Sequence, residues 1–280
     1  MDAWRNTSEA TTTGAGVLRP EEFARHVQLE RADCAAHLSP WVDNYWLLRW
    51  HLPPGTSHLS STLPHPACNL SVERGHRRDG VGPEHVVVTG VVTRRFDVRV
   101  AGEGWVFGVK FRPGGLTSLT GISARALRDA TVPATGVVGA ARSEALEALG
   151  PALDLDACRS RVEALLAPQD GVPEDDYQFV LQVIGAMLAD RSLVRVAQLE
   201  DHFGVSARRL QRLFAHYVGV SPKWVLARYR IHDAVTELDE GYDGSLADLA
   251  TRYGWFDQAH FTREFTRLIG VPPGSYQARA

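Results

Sequence analysis

The chain has 280 residues, a length that fits about two globular domains. Of its residues 44% are hydrophobic, and its formal net charge is −3. No apolar run approaches the ~20 residues of a membrane-spanning helix, and three widely spaced cysteines exclude a disulfide framework and a CxxC metal or redox motif. Charge differs along the chain, since residues 1–190 carry 18 basic and 23 acidic side chains whereas residues 191–280 carry 12 and 10.

The first residues of the sequence are rich in threonine and alanine. Residues 1–16 are polar and lack the apolar centre of a secretory signal, so we expect a cytoplasmic protein, and we expect residues 1–18 to be disordered. Four aromatic residues follow with the spacing of a helix face, namely Trp41, Tyr45, Trp46 and Trp50. They predict a stripe of core or interface side chains, with the wall of a ligand pocket as the alternative.

A β-rich region comes next. Residues 86–89 and 91–93 are β-branched runs on either side of a glycine, and residues 96–100 and 105–111 alternate with period two. Short strands broken by glycine and proline are typical of a small antiparallel barrel or sandwich. We therefore predict a β-rich domain over residues 19–140.

One or two amphipathic helices and a linker are predicted between this region and the C-terminal part. Leucine and valine recur between charged residues over 141–167, with a break at Gly150 and Pro151. This segment is a helical connector and a candidate dimerisation element. Residues 168–176 contain two prolines, one glycine and four acids, so they predict the domain boundary, and residues 177–280 form the second domain.

The second domain contains an internal repeat. The first copy reads GVSARRLQRLF over residues 204–214, followed by GVSP at 219–222. The second copy reads GWFDQAHFTREF over residues 254–265, followed by GVPP at 270–273. An offset of 51 residues brings the apolar positions of the two copies into register.

Each copy predicts a short helix, a glycine turn and a second helix. Gly204 and Gly254 can adopt the left-handed turn that ends a helix, and Ser206 and Asp257 stand where N-caps belong. In each second helix the apolar side chains fall on one face and the polar and basic ones on the other. This arrangement is a helix-turn-helix.

These motifs resemble the DNA-binding domain of AraC/XylS-type transcriptional regulators. The resemblance covers about residues 177–276 and rests on both copies, both Gly-Val-x-Pro terminators and the stretch 228–230. It implies two helix-turn-helix subdomains joined by a long helix, about Pro222 to Asp239, whose recognition helices enter major grooves ~34 Å apart. An 18-residue helix is about 27 Å long, which makes that reach plausible.

The resemblance also implies which side chains meet DNA. Arginine can hold guanine bidentately, and basic side chains beside the recognition helices suit phosphates. The predicted base contacts are Arg208, Arg209, Gln211, Arg212, Gln258, His260, Thr262 and Arg263, and the predicted phosphate contacts are Lys223, Arg228, Arg230 and Arg267. A merely solvated helix face is the alternative for each of them.

The sequence departs from the family pattern at two places. Phe256 precedes the second recognition helix, where the family usually has a small or polar residue, and residues 215–218 are nearly neutral where it is usually basic. With a mildly basic domain we expect few phosphate contacts. A slope of log K against log[salt] as steep as about −8 would contradict that expectation.

The N-terminal part resembles, less specifically, a barrel-type domain found before AraC-type DNA-binding domains, through residues 44–46, 89–94 and 108–115. The resemblance implies a regulator of α+β fold in which a small-molecule effector binds the N-terminal domain. The candidate pocket residues are Tyr45, Trp46 and Arg112. Double-stranded DNA and an effector are the expected partners, RNA polymerase and a second copy are candidates, and no metal or cofactor is expected.

Two alternatives remain open. An enzyme with an appended DNA-binding domain, such as a repair methyltransferase, needs a cysteine nucleophile in an electropositive motif with a base. Cys34, Cys68 and Cys158 lack such neighbours in sequence. The second alternative is a protein-interaction module whose helix-turn-helix units have lost DNA binding, which the two departures from the family pattern keep open.

Overall fold

A computed structural model of the chain describes residues 16–75, 85–166 and 171–278. It contains an N-terminal sheet domain and a C-terminal helical domain, which confirms the α+β class. Most of the predicted disordered N-terminus lies outside the described residues, but its last residues join the fold because Val17 bridges Thr62. Residues 167–170, the last residue of the predicted connector and the first three of the predicted linker, also lie outside them. Across the ranges described, no helix has both the length and the apolar character to span a membrane.

In the described part of the chain, eight strands form two antiparallel sheets instead of one closed barrel. The larger sheet has the order β1-β2-β7-β4-β5-β8 and the smaller one pairs β3 with β6. The strands are β1 (Gln28–Asp33), β2 (Val42–His51), β3 (Ser57–Thr62), β4 (Asn69–Gly75), β5 (Val86–Thr89), β6 (Phe96–Ala101), β7 (Glu103–Phe111) and β8 (Thr131–Pro133). The β-branched residues 91–93 form a loop, so the strand predicted there is absent.

The aromatic stripe lies on a strand, so its interpretation as a helix face is wrong. Successive side chains of a strand point to opposite faces, which puts Tyr45 on one side of β2 and Trp46 and Trp50 on the other. Tyr45 is fully buried and stacks on Phe107, with ring centroids 6.0 Å apart. Because both faces of β2 are covered, apolar residues occupy both faces and the sequence of the strand does not alternate between apolar and polar positions.

Short helices complete the N-terminal domain. They are α1 (Pro20–Ala24), α2 (Gly115–Thr120), α3 (Ala124–Leu127), α4 (Thr135–Val138), α5 (Ala140–Glu147) and α6 (Leu155–Leu166). The break between α5 and α6 falls at the predicted Gly150 and Pro151. Helix α6 packs on β1 and β2 and buries Cys158 and Val162. Helix α6, the second helix of the connector, therefore packs on the sheet of the N-terminal domain through its apolar face.

The C-terminal domain consists of helices around one long central helix. They are α7 (Asp175–Ala189), α8 (Val196–Phe203), α9 (Ala207–Leu213), a π-helical turn (Phe214–Val218), α10 (Pro222–Asp239), α11 (Leu246–Arg252), α12 (Gln258–Ile269) and α13 (Pro273–Gln277). The pairs α8–α9 and α11–α12 are the two predicted copies, and α10 has the predicted bounds. Gly204 and Gly254 make the turns, with φ of 62° and 76°.

The two domains are in direct contact. Helices α2 and α3 pack on the π-helical turn, where Thr117 Oγ1 donates to the Tyr217 carbonyl at 3.3 Å. The Tyr177 hydroxyl donates to the carbonyl of Pro40 at 2.7 Å. The core is consequently continuous from the large sheet into the helical domain.

Candidate DNA interface and ligand cavity

Both second helices of the repeat are capped as the sequence predicts. The Ser206 hydroxyl accepts from the backbone N–H of Arg209 at 3.3 Å, and the Asp257 carboxylate accepts from that of His260 at 2.6 Å. A capping side chain satisfies a backbone donor that the helix itself leaves unpaired. The caps fix the starts of the two helices at Ala207 and Gln258, and so determine which side chains of the first turns face solvent.

Helix α9 presents a polar outer face. Its apolar residues Leu210 and Leu213 are buried, whereas Arg208, Gln211 and Arg212 are exposed. This division follows from the helical period, since residues three or four apart share a face. Three of the four base contacts predicted in the first copy thus share an accessible surface.

Arg209 lies at the edge of that face and contacts α7. Its guanidinium sits 5.0 Å from the ring centroid of Phe179, and its Nη2 lies 3.4 Å from Asp176 Oδ1. Both partners of the ion pair are about half exposed, with 47% of each side chain accessible, so the pair is weak. Arg209 would have to leave α7 before contacting a base.

Helix α12 repeats this pattern with different side chains. Gln258, Arg263 and Arg267 are exposed, and His260 and Thr262 are half-buried. Its inner face is formed by buried Phe261, Phe265, Leu268 and Ile269. The outer face is therefore polar and carries two arginines.

The residues predicted to bind phosphates have different surroundings. Lys223 is exposed in the first turn of α10. Arg228 is only 2% exposed, and its Nε donates to the carbonyl of Pro64 in the N-terminal domain. A guanidinium in the interior cannot reach a phosphate, so that prediction is wrong for Arg228 in this arrangement. Arg230 is half-buried, and its guanidinium donates to the carbonyl of Gly254 at 3.2 Å, which ties α10 to the second copy.

A cavity of about 270 Å³ lies in the N-terminal domain and is lined by residues of both sheets. Its apolar part includes Phe23, Leu48, Trp50, Val98 and Val106, and its polar part includes Arg31, Asp43, Asn44, His65, Lys110 and Arg228. Of the three candidate pocket residues, Trp46 lines the cavity. Tyr45 and Arg112 do not, because Tyr45 faces the opposite side of β2 and Arg112 donates from its Nε to the Ser39 carbonyl outside it.

The polar part of the cavity is built around Asp43. Its Oδ2 lies 2.7 Å from Lys110 Nζ and accepts from Asn44 at 3.1 Å, while its Oδ1 is buried and has no hydrogen-bond partner among the residues described. A buried acceptor of this kind is costly unless a donor reaches it. Arg228 comes from α10, so the C-terminal domain supplies part of the lining. Sequence reasoning missed this set, because its members are scattered along the chain.

The three cysteines are not activated nucleophiles. Burial raises the pKa of Cys68 to about 12 and that of Cys158 to about 11, and it also raises the pKa of Cys34. The thiolate is the reactive form of cysteine, and a raised pKa depletes it at neutral pH. The thiols therefore give no support to the methyltransferase alternative.

Two families match separate parts of the chain. Residues 199–279 match a family described as "Helix-turn-helix domain", and residues 30–133 match one described as "Domain of unknown function (DUF6597)". A Streptomyces lividans protein named "Putative AraC-like transcription regulator" is 37% identical over 82 residues, and a Bacillus subtilis protein named "Uncharacterized HTH-type transcriptional regulator YfiF" is 33% identical over 85. These matches cover 29% and 30% of this chain but only 27% and 26% of the relatives.

The chain is also similar to a solved structure of ToxT from Vibrio cholerae. The alignment covers 90% of this chain and 98% of that one, at 11% identity and a TM-score of 0.41. That likeness is too distant for individual residues of the two proteins to be equated.

The paired, capped helices around α10 define a double helix-turn-helix protein. The C-terminal domain is of the AraC type, and it is joined to an N-terminal domain of a separate family. The resemblance stated from the sequence is thereby confirmed.

Proposed function

We propose that this chain is a sequence-specific DNA-binding transcriptional regulator controlled by a small molecule in its N-terminal cavity. One observation carries the proposal. Two recognition helices, each with a side-chain N-cap and an exposed polar face bearing arginines, flank a single 18-residue helix. A helix of that length spans about 27 Å, close to the ~34 Å between successive major grooves.

Specificity would come from the exposed side chains of α9 and α12. Arg208 and Arg212 suit guanine, and Gln258 suits adenine, because their hydrogen-bonding groups match those base edges. Lys223 and Arg267 are exposed beside these helices and suit phosphates, which position the protein without specifying sequence. Few such cations are available, so base contacts would carry a large share of the affinity.

The effector would act through the cavity. A ligand that donates a hydrogen bond to Asp43 Oδ1 would satisfy that buried acceptor and would lie beside Arg228 of α10. If its affinity differs between two arrangements of the domains, it shifts their populations and so the DNA-binding state. We expect a ligand that stabilises the wild type in a thermal-shift screen to lose that effect in Ser71→Phe, which fills part of the cavity.

The remaining partners belong to the same proposal. A regulator of this type would act in the cytoplasm, where bacterial DNA lies, with RNA polymerase and a second copy of the chain as candidate partners. No catalytic step forms part of it. The interaction-module alternative would retain the fold without any affinity for duplex DNA.

A gel-shift assay tests DNA binding. The full chain is titrated onto the promoter region beside its own gene, together with Arg208→Ala/Arg212→Ala and a control double variant, Arg25→Ala/Arg161→Ala, which removes two exposed arginines from the N-terminal domain. Bidentate base contacts contribute about 1–3 kcal/mol each, so we expect the first variant to bind at least about tenfold more weakly and the control to bind normally. Equal binding by all three proteins, or no retarded band at all, would contradict the proposal.

A further inference from the structure

Phe256 is unusually exposed for a large apolar side chain. It is 92% accessible, compared with 44% for Leu59 and 74% for Val172, the other exposed large hydrophobic residues in the ranges that the structure describes. It lies in the turn between α11 and α12, one residue before the N-cap Asp257. A fully exposed phenylalanine at this point calls for an explanation in terms of function or packing.

Packing within the domain does not explain the exposure of Phe256, because the adjacent Trp255 makes the packing contact expected of a residue in this turn. The residue before an N-cap often packs on the fourth helical residue, which here is Phe261. Trp255 makes this contact instead, with its ring centroid 4.8 Å from that of Phe261. Trp255 is buried, and its Nε1 donates to Glu264 Oε2 at 2.7 Å. The turn is thus anchored by Trp255, and Phe256 points into solvent.

The position of Phe256 links it to the DNA interface. In a helix-turn-helix the N-terminal residues of the recognition helix contact the base edges. Phe256 is next to that end of α12, two residues before Gln258 and three before Ala259, and all three residues are exposed. The only apolar group on the major-groove edges of the bases is the C5-methyl of thymine.

We propose that Phe256 is a specificity-determining residue that packs against a thymine methyl group in the half-site bound by α12. The inference rests on the proposed DNA-binding function and adds one base preference to it. Burial of the exposed ring against the methyl removes both from water, which favours thymine over cytosine or uracil at that position.

The test removes single methyl groups from DNA. The full chain selects duplexes from a random pool, and each thymine of the enriched site is then replaced by deoxyuridine. Burial of one methyl corresponds to about fourfold in affinity, so we expect the wild type to lose about that much at one or two thymines in one half-site. Phe256→Ala should bind more weakly overall and show no further loss at those thymines. The matched control Leu59→Ala should behave as the wild type.

Three results would overturn the inference. The first is a deoxyuridine pattern that is identical in Phe256→Ala and the wild type. The second is normal DNA binding by Phe256→Ala with loss of transcription in a reaction reconstituted with RNA polymerase, which would make Phe256 a protein contact. The third is a wild-type chain that enriches no duplex, which removes the proposed function and this inference with it.

Discussion

Lys223 and Arg228 show how differently two basic residues of one helix can be used. Lys223 is exposed, whereas Arg228 is buried and its guanidinium reaches the Pro64 carbonyl of the other domain. Only the first can neutralise a phosphate. Each phosphate contact releases counterions from DNA, so the slope of log K against log[salt] is proportional to the number of phosphate contacts.

We expect Lys223→Ala to make the slope of log K against log[salt] shallower by about 1 and Arg228→Met to leave it unchanged. Arg228→Met should instead destabilise the fold by about 1–3 kcal/mol, because the Pro64 carbonyl loses its donor. Fluorescence anisotropy across a salt series and thermal unfolding measure the two effects. A slope reduced equally by both variants would show that Arg228 reaches DNA after all.

The sequence predicts the outer faces of α9 and α12 well but cannot predict the place of Arg228. The exposed positions follow from helical period and from caps within a few residues, which are local signals. The partner of Arg228 is 164 residues away, in a domain whose pairing is not local. The same reason explains why Asp43 and Lys110 could not be assigned to one cavity.

The second helices of the two copies end differently although each spans twelve residues, 207–218 including the π-helical turn and 258–269. The N–H of Gly219 donates to Phe214, five residues back, whereas that of Gly270 donates to Thr266, four residues back. Both glycines have positive φ, of 82° and 85°. The wider π-helical turn brings Gly219 against Ala124 of α3, where a Cβ would lie 2.7 Å from the carbonyl oxygen.

Alanine substitution should separate the two glycines. Left-handed backbone costs alanine about 1 kcal/mol at either site, and Gly219→Ala also collides with main chain that cannot move freely. We expect Gly219→Ala to destabilise by about 2–3 kcal/mol and Gly270→Ala by about 1, since a Cβ on Gly270 would meet only the flexible end of Arg95 at 3.4 Å. Urea unfolding of both variants measures the difference, and an equal or larger effect of Gly270→Ala would refute it.

Strands were harder to predict than helices for a physical reason. The residues that predict α8 to α12 are helix caps and apolar positions within single turns. Strands β1, β3 and β4 instead form by pairing with strands that are distant in sequence. Strand β2 also lies under other elements on both faces, so its pattern carries no period of two.

At the scale of the whole molecule, two histidines lie where the domains meet, His65 half-buried and His232 buried. Burial, together with the positive charges of Lys110 and Arg228, holds the pKa of His65 well below 6.5, and the same causes act on His232 of α10. Both are therefore neutral in the folded chain. On unfolding they recover their ordinary pKa and take up protons below that pH.

Since the unfolded chain binds more protons below pH 6.5, stability should fall as pH falls below that value. Asp233 opposes this trend at lower pH, because burial raises its pKa to about 6. We expect the melting temperature of the wild type to drop between pH 7.5 and 5.5, and His65→Asn/His232→Asn to drop much less. The exposed His37→Asn variant serves as the control. A double variant with the wild-type pH dependence would contradict the assignment.

The N-terminal domain holds the two helix-turn-helix units by unequal means. The first is packed against α2 and α3, whereas at the end of α12 the Arg95 guanidinium donates to the Ile269 carbonyl at 3.1 Å. One hydrogen bond from a long side chain breaks more readily than a packed main-chain contact. We therefore expect the contact at the end of α12 to open before the packed contact at α2 and α3, which hydrogen exchange would show as faster exchange around Ile269 than around Tyr217.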